Sequence, residues 1–277
     1  MDIKKSIPYI VIGILILTGL LFFSKAEKNS GSATNPKQSI DAQTLSDKLA
    51  RADSLAKDDK ILEAHQAYQD LAQKFGSTDI GKQAFLKSNS IGIEAFFESL
   101  DDSNRTFYTV RSGDNLTRIA KQFGVTAGLI QMANGLKNDK IFPLQKLQVM
   151  TDPWNIVVKK SSNTLQLNVG NRIVRQYDVA TGKDNSTPAG EFKIVNRLED
   201  PTWYYAEEGK VEPAGSPKNP LGSRWMGFDL EGYGLHGTTD PDKIGQYATL
   251  GCVRMFNHEI EELFNIVPVG TTVSIVE

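Results

Sequence analysis

His236-Gly237-Thr238 precedes, by a short spacer, the run Thr249-Leu250-Gly251-Cys252-Val253-Arg254, which contains the only cysteine of the chain. A thiolate can attack a carbonyl carbon, and an imidazole can activate the thiol by taking its proton. A glycine such as Gly251 lets the backbone turn tightly, so that N–H groups come close to the developing oxyanion. A lone cysteine can equally be a small buried hydrophobe. The residues around the motif therefore decide between a nucleophile and a core residue.

The motif and three other stretches resemble the YkuD-type L,D-transpeptidases of bacterial cell walls. The other stretches are Thr181-Gly182-Lys183 with Thr187-Pro188-Ala189-Gly190-Glu191-Phe192, then Asn219-Pro220-Leu221-Gly222, and finally Val267-Pro268-Val269-Gly270-Thr271. The resemblance covers about residues 155 to 277. Thr249 stands where the family usually has serine, and it keeps the hydroxyl.

By this resemblance the substrate is the stem peptide of peptidoglycan. Cys252 would be the nucleophile and His236 the general base. The N–H groups of Gly251 and Cys252 would form the oxyanion hole. A backbone carbonyl would orient the imidazole, supplied by Thr249 or by the neighbouring glycine positions. The acyl-enzyme would then pass to an amine of a neighbouring stem and form a 3→3 cross-link.

Four further residues are candidates for contact with the substrate. Arg254 could hold a substrate carboxylate or fix the loop by bidentate hydrogen bonds, and both roles stay open. Gly237, Tyr233 and Trp225 are candidates for the cleft, with core packing as the alternative for the two aromatic residues. No aspartate or glutamate is required by the motif as a third catalytic member.

The composition excludes several classes of function. The chain has 277 residues, of which 40% are hydrophobic, so it can bury globular cores. A net charge of −2 gives no electrostatic basis for binding nucleic acid. One cysteine and three histidines without CxxC or HExxH spacing predict no metal site, and no cofactor is predicted.

The N-terminus contains an uncharged apolar run from Ile7 to Phe23, preceded by Lys4 and Lys5. Its length is near the lower limit for a membrane-spanning helix, but it is slightly long for the apolar core of a signal peptide, and this favours an uncleaved anchor. A signal peptide cleaved near Ala26 is the alternative, and a buried core helix is the third reading. Either membrane reading places the remaining chain in the bacterial cell envelope, outside the cytoplasm. A single unpaired cysteine in an oxidising compartment is a candidate reactive thiol.

Residues 24–40 are polar and read as a flexible linker. Residues 41–103 carry apolar residues at helical spacing, with Gly76-Ser77 as a break between helices. A tetratricopeptide-like unit and a helical spacer or packing partner are the alternatives for this segment. We expect His65 to be a solvated helix residue.

Residues 104–152 resemble a LysM glycan-binding module. The resemblance is carried by the run from Tyr108 to Leu116, by Phe123-Gly124-Val125 and by Asn134-Gly135-Leu136. The family usually has glycine where Leu144 or Gln145 stands. LysM modules bind glycans that contain N-acetylglucosamine, while a helix cap and a core residue are the alternative roles for Asp114 and Leu116. The resemblance implies the following glycan-binding candidates: Gly113, Asp114, Asn115, Leu116, Asn138, Lys140 and Ile141.

Residues 153–277 predict a mostly-β domain with one clear helix, Glu259 to Phe264, and a last strand, Thr272 to Val276. Earlier strands are predicted within residues 156–158, 164–169, 173–179 and 192–195. The predicted fold class is therefore multidomain α+β. Its parts are a transmembrane helix (residues 1–23), a linker, a helical segment, a small βααβ LysM module and the catalytic domain.

Several functions share the predicted active site or replace it. Water as the acceptor would give an L,D-carboxypeptidase, and a protein amine would give attachment of a protein to the wall. A catalytically inactive wall-binding protein and a purely structural tether are alternatives of a different class. The predicted partners are peptidoglycan, through both stem peptides and glycan strands, and the membrane, through residues 7–23.

Overall fold

The computed structural model describes residues 42–100, 106–205 and 209–277. The predicted anchor at residues 7–23 and the predicted linker at residues 24–40 lie outside these ranges. Within the described ranges, no helix combines the length and the apolar character needed to cross a bilayer.

The catalytic part contains the strands β3 (Trp154–Lys159), β4 (Thr164–Val169), β5 (Arg172–Asp178), β6 (Thr181–Gly182), β7 (Gly190–Glu199), β8 (Trp203–Tyr205), β9 (Lys210–Glu212), β10 (Arg224–Phe228), β11 (Gly234–His236), β12 (Tyr247–Thr249), β13 (Val253–Arg254) and β14 (Thr272–Val276), which follow β1 (Thr106–Thr109) and β2 (Lys146–Val149) of the preceding module. Eight of them form one mixed sheet in the order β13-β11-β10-β7-β14-β3-β4-β5. The other four form two short pairs, β6 with β12 and β8 with β9.

Helix α6 (Asn257–Ile266) covers one face of this sheet. Its buried residues Ile260, Leu263 and Phe264 belong to the same core as Met226 and Leu235 of the strands. The predicted strands, the predicted helix and the mostly-β character of this part are confirmed. The helix extends two residues further at each end than the sequence indicated.

The N-terminal described segment forms the predicted helices, with α1 (Ala42–Lys57), α2 (Ile61–Phe75) and α3 (Asp79–Glu98). Helices α1 and α2 share a small core that includes Leu45, Leu49 and Tyr68. The hydroxyl of Thr78 caps α3 by accepting a hydrogen bond from Gly81 N–H. The break at Gly76-Ser77 lies between α2 and α3, as predicted.

Helix α3 belongs structurally to the catalytic part. Ile93, Phe96 and Leu100 lie in the core of the eight-stranded sheet, where the Phe96 ring packs edge-on against Trp154 at 5.4 Å. Asn89 pairs with the edge strand β5: its Nδ2 donates to the Gln176 carbonyl (2.7 Å) and its Oδ1 accepts from Gln176 N–H (2.6 Å). The helix thereby covers the free hydrogen-bonding edge of the sheet.

The expectation for His65 was wrong, because the side chain is only 3% exposed. Its Nε2 atom lies beside Gly92 of α3, where a Cβ atom would be 3.6 Å away. Burial lowers the pKa of His65, with a smaller contribution from the charge of Arg172. Helical periodicity describes only the spacing of residues within α2. It therefore could not predict that α3 packs over α2 at His65 and buries this side chain.

The LysM module forms the predicted βααβ arrangement with β1 (Thr106–Thr109), α4 (Leu116–Phe123), α5 (Ala127–Ala133) and β2 (Lys146–Val149). Asn115 caps α4 by accepting from Arg118 N–H at 2.8 Å, and Gly124 ends it at φ +68°. The turn before β2 contains Leu144 at φ +71°, and Leu144 is one of the two positions at which the resemblance implies a glycine.

Candidate active site

Two neighbouring parallel strands bring the motif residues together. In β11 and β13, Leu235 pairs with Val253 and His236 pairs with Arg254. Leu235 and Val253 are fully buried on the α6 side of the sheet. Because side chains alternate along a strand, His236 and Arg254 lie on the opposite face, and Cys252, two residues before Arg254, starts on that same face. This face is the candidate active site.

The imidazole of His236 is buried and oriented by the backbone. Its Nδ1 lies 2.6 Å from the Gly237 carbonyl oxygen, and because a carbonyl only accepts, Nδ1 is the donor. The ring also stacks on Trp225 of β10, with 6.2 Å between ring centroids. Burial lowers the pKa of His236 to about 4, and the charge of Arg254 adds to this shift, while the Gly237 and Pro220 carbonyls oppose it. The imidazole is therefore neutral at neutral pH.

The loop that holds His236 is fastened by Asn257, which the sequence analysis did not identify. Its Oδ1 accepts from Thr238 N–H (2.9 Å) and Ser223 N–H (3.2 Å), and its Nδ2 donates to the Thr238 carbonyl (2.8 Å). A Cβ atom at Gly237 would lie 2.1 Å from Asn257 Oδ1, so only glycine fits there. Asn257 begins α6 and resembles an ordinary helix start, so the sequence carried no signal for this role.

The thiol of Cys252 is half-buried and protonated. Its Sγ donates a hydrogen bond to the Gly232 carbonyl at 3.3 Å. Burial raises the pKa of the thiol to about 11, although a hydrogen bond from Gly234 N–H and the charge of Arg254 oppose this rise. At rest the site thus contains a neutral thiol and a neutral imidazole, so the nucleophile must lose its proton during attack.

The backbone before Cys252 is specified by packing. Gly251 has φ +143°, and a Cβ atom there would lie 2.6 Å from the Tyr233 ring. Its N–H donates to Thr249 Oγ1 (3.2 Å), while that hydroxyl donates to the Cys252 carbonyl (2.6 Å). Thr249 therefore supports the loop through its hydroxyl, and the carbonyl at the imidazole is that of Gly237. The Gly251 N–H, expected in the oxyanion hole, is engaged by Thr249.

Arg254 lies near both candidate reacting groups, and the charge of Asp240 acts on it. Its charge acts on both His236 and Cys252, and burial lowers its own pKa. Its Nε is buried and unpaired, and its guanidinium makes no hydrogen bond to another residue in the described ranges. Of the two open roles, binding of a substrate oxygen fits this arrangement better than fixing the loop.

Trp225 and Tyr233 both border the site. The Trp225 indole is held by a hydrogen bond from Nε1 to Asn196 Oδ1 (3.0 Å) and flanks the imidazole. Tyr233 covers Gly251 and also packs against the main core. Tyr233 therefore combines the packing role with a place at the cleft, whereas Trp225 flanks the imidazole from outside the hydrophobic core.

The predicted glycan-binding residues of the LysM module have mixed roles. Asp114 accepts from the Tyr108 hydroxyl (2.7 Å) and from Arg111 N–H (2.8 Å), so it closes the first turn. Leu116 is 2% exposed and lies in the module's core, contrary to an exposed glycan contact. The other candidates have turn, cap or loop positions: Gly113 has φ +85°, Asn115 caps α4, Asn138 Oδ1 accepts from Lys140 N–H, and Ile141 is half-buried against the core.

An open cleft of about 670 Å³ runs along α4 of the module. Asn115 and Leu116 are the only predicted glycan residues that line it, and Asp139 comes from the loop between Asn138 and Lys140. We refer to this cleft as the LysM cleft. In the described ranges, no group of three or more histidine, cysteine or carboxylate side chains could hold a metal ion.

Comparison with known proteins is consistent with these two parts. A family profile for the L,D-transpeptidase catalytic domain, YkuD, matches residues 153–275, and a LysM profile matches residues 108–149. YqjB of Bacillus subtilis, named as an L,D-transpeptidase, is 42% identical over 143 residues, which are 50% of this chain and 78% of YqjB.

Two YkuD proteins, also named as L,D-transpeptidases, match a longer part of the chain. The Bacillus subtilis protein is 33% identical over 175 residues and the Bacillus licheniformis protein is 36% identical over 176 residues. Each match covers 61% of this chain and 97% of the relative.

The fold and the site define an enzyme of the acyl-transferring class with a wall-binding module beside it. The chain belongs to the L,D-transpeptidase family of the YkuD type. It carries a LysM domain, and both domains indicate that it binds peptidoglycan. A catalytic domain that acts on the cell wall works outside the cytoplasm.

Proposed function

We propose that the chain cross-links peptidoglycan stems through a Cys252 acyl-enzyme and forms 3→3 links. The observation that carries this proposal is the position of Cys252, His236 and Arg254 on one face of adjacent strands. In the first step Sγ attacks the carbonyl at the L-centre of the third stem residue while His236 takes the thiol proton. The C–N bond breaks, and the proton returns from the imidazolium to the leaving D-alanine amine.

The second step reverses these roles. The amine of a neighbouring stem attacks the thioester, the imidazole takes a proton from that amine, and the C–S bond breaks. The proton then returns to the cysteine thiolate, which restores the resting site. Because His236 is neutral at rest, it is ready to accept a proton at the start of each step.

The oxyanion needs donors that the resting fold does not already use. The Gly251 N–H is bonded to Thr249 Oγ1, whereas the Cys252 N–H makes no hydrogen bond to another described residue. We assign the Cys252 N–H as the primary donor to the oxyanion. Arg254 supplies the second interaction, through its Nε–H, which is unpaired in the resting site.

The test is the intact mass of the full-length chain, in mild detergent, after incubation with a carbapenem. Enzymes of this family are typically acylated by that class of β-lactam. We expect one adduct on the wild-type chain, none on Cys252→Ala, and acylation slowed about 10²-fold or more in His236→Ala. Folded wild-type protein without an adduct would favour an inactive wall-binding protein.

A second measurement identifies the acceptor. The enzyme is incubated with disaccharide–tetrapeptide fragments, and the products are separated by mass. A cross-linked dimer supports transpeptidation, whereas tripeptide alone indicates that water is the acceptor and contradicts the cross-linking proposal. Cys252→Ala should form neither product.

We further propose that residues 7–23 anchor the enzyme to the membrane and that the LysM candidates other than the buried Leu116 bind glycan. The support for the anchor is the uncharged apolar run after two lysines. Fractionation of expressing cells tests it: the full-length mass should appear in the membrane fraction. A soluble product that begins near residue 27 would instead show cleavage after a signal peptide.

A further inference from the structure

The LysM cleft adjoins a second cleft. A second cleft of about 370 Å³ lies between the module and the catalytic part, and we refer to it as the interdomain cleft. Thr117, Lys121 and Ala127 line both clefts. On the catalytic side the interdomain cleft is bordered by Arg197 and Glu199 of β7. The two clefts therefore adjoin each other at α4, and we refer to them together as the channel.

Close contacts hold the LysM module in a fixed position on the catalytic part, so the two clefts stay side by side. Thr126 Oγ1 donates a hydrogen bond to the Asn265 carbonyl of α6. A Cβ atom at Gly128 would lie 2.8 Å from the Asn265 carbonyl oxygen, so α5 and α6 approach closely at that point. Leu129 of α5 is fully buried in the catalytic core. The two clefts are consequently held in a fixed position relative to each other.

Arg197 gives the interdomain cleft a chemical preference. Its guanidinium stacks on the Phe264 ring at 3.9 Å and donates to the Phe264 carbonyl. Its Nε is buried without a partner among the described residues. Burial lowers the pKa of Arg197 to about 10, while the charge of the neighbouring Glu199 opposes this shift, so the group remains charged at neutral pH. A charged group with an unused donor favours an anionic ligand, which would compete with the Glu199 carboxylate at the same cleft.

We propose that the two clefts are one binding site for a peptidoglycan glycan strand, with an acidic group of its stem peptide at Arg197. This inference rests on the proposed binding of glycan by the LysM module. Neutral sugars would lie along α4, and the first carboxylate beyond the module would meet the guanidinium. The basic side chains of Arg118 and Lys121 in the LysM cleft suit a strand that carries acidic stems.

The channel lies on the α6 face of the sheet, whereas Cys252 and His236 lie on the other face. Arg197 pairs with the buried Met226, and Trp225, the next residue of β10, flanks the imidazole from the opposite side. The strand would therefore be held behind the catalytic face, with its stem peptides reaching the thiol around the strand ends. The site would then select stems by their distance along the glycan.

The experiment measures binding to full-length enzyme by calorimetry with two probes. The short probe is the uncharged tetramer of N-acetylglucosamine, and the long probe is a soluble glycan strand with intact acidic stems. We expect Arg197→Gln to leave the affinity for the tetramer unchanged and to weaken binding of the long strand about tenfold. Glu199→Trp fills the same cleft from an exposed position and should act similarly even if Arg197→Gln fails to fold.

Lys146→Glu is the matched control, because this exposed LysM residue lines neither cleft, and it should affect neither probe. The inference is overturned if both cleft variants that fold bind the long strand like the wild type. It is also overturned if the wild type binds neither probe, and that result would remove the proposed glycan binding as well. Carbapenem acylation of the same samples separates either failure from a failure of the proposed catalysis.

Discussion

The motif loop around Gly251 and the LysM turn around Leu144 both contain a residue at positive φ, but the two residues differ in how closely other groups pack around them. At φ +143°, Gly251 is enclosed, and a Cβ atom would contact the Tyr233 ring at 2.6 Å. Leu144 has φ +71°, and its side chain is 82% exposed. The first position tolerates no side chain, whereas the second accepts one at the cost of local backbone strain.

The comparison shows that backbone conformation alone does not specify glycine. Packing above the residue decides whether a departure from the family pattern disables a loop or only weakens it. At the active site the enclosing groups, Tyr233 and the Ser186 carbonyl, also shape the cleft. At the LysM turn nothing comparable covers the backbone, and the family's usual glycine could be replaced.

The largest expected effect is that of Gly251→Ala. The added methyl group must displace the Tyr233 ring or the loop, which moves the Cys252 N–H away from the oxyanion. We expect carbapenem acylation to slow by about 10²-fold, the size of effect seen when one oxyanion donor is lost. The measurement is the acylation rate by intact mass, with the melting temperature as a control for folding. A rate within twofold of the wild type would contradict the enclosure argument.

The next effect separates the two functions of the Asn257 amide. Asn257→Ala removes two hydrogen bonds to Thr238 in the histidine loop and one to Ser223, and we expect acylation to fall about tenfold through misplacement of His236. Asn257→Asp keeps the acceptor for Thr238 N–H and Ser223 N–H, so it should retain more activity than the alanine variant. Asn265→Ala, at an exposed position of the same helix, should leave acylation unchanged. Equal rates in the alanine and aspartate variants would show that the accepted bonds are unimportant.

The pH dependence of the acylation rate tests whether His236 and Cys252 are buried in the resting site. The pKa of His236 is lowered to about 4, so its neutral, proton-accepting form persists as the pH falls below the ordinary value of 6.5. The pKa of Cys252 is raised to about 11, so the thiol stays protonated on the alkaline side. We expect the acylation rate to be nearly constant from about pH 5.5 to pH 9. A midpoint near 6.5 in the rate profile would mean that the imidazole is solvated.

The smallest effect is expected at the LysM turn. Leu144→Gly removes the strain of a left-handed leucine but adds the flexibility of glycine to the unfolded chain. The balance should stabilise the protein by about 1 kcal/mol, measured by denaturant unfolding. Acylation of Cys252 should not change, because the turn is remote from the motif. A destabilised variant would show that the exposed leucine makes a contact that offsets its strain.

The sequence predicted the helices and strands better than it predicted which of them pack against each other. The alternating runs, such as Thr164 to Val169, became strands as expected, and the helical spacing before Leu100 became three helices. Periodicity does not identify the partner of an apolar face, however. For that reason the packing of α3 against Trp154 and the burial of His65 were not predicted.

In the active site, likewise, the residues of the local motif could be predicted, whereas the residues that the fold brings to them could not. Cys252, His236 and Arg254 form a local motif, so they could be identified as candidates. Asn257 acts across long separations in the chain and bonds only because the fold brings α6 to the histidine loop. The bond from Gly251 N–H to Thr249 Oγ1 depends on the rotamer of one hydroxyl, which no sequence pattern encodes.

The pairing of Asn89 with β5 has a practical consequence for gene design. A fragment that starts at the catalytic domain would lose Phe96 from its core and leave the Gln176 amide without its partner. Such a truncation would expose the unpaired hydrogen-bonding edge of β5. We expect the truncated protein to aggregate during expression. A catalytic fragment of this chain that keeps its core filled and this edge of the sheet paired therefore includes α3, and recombination that exchanges the catalytic part should transfer that helix with it.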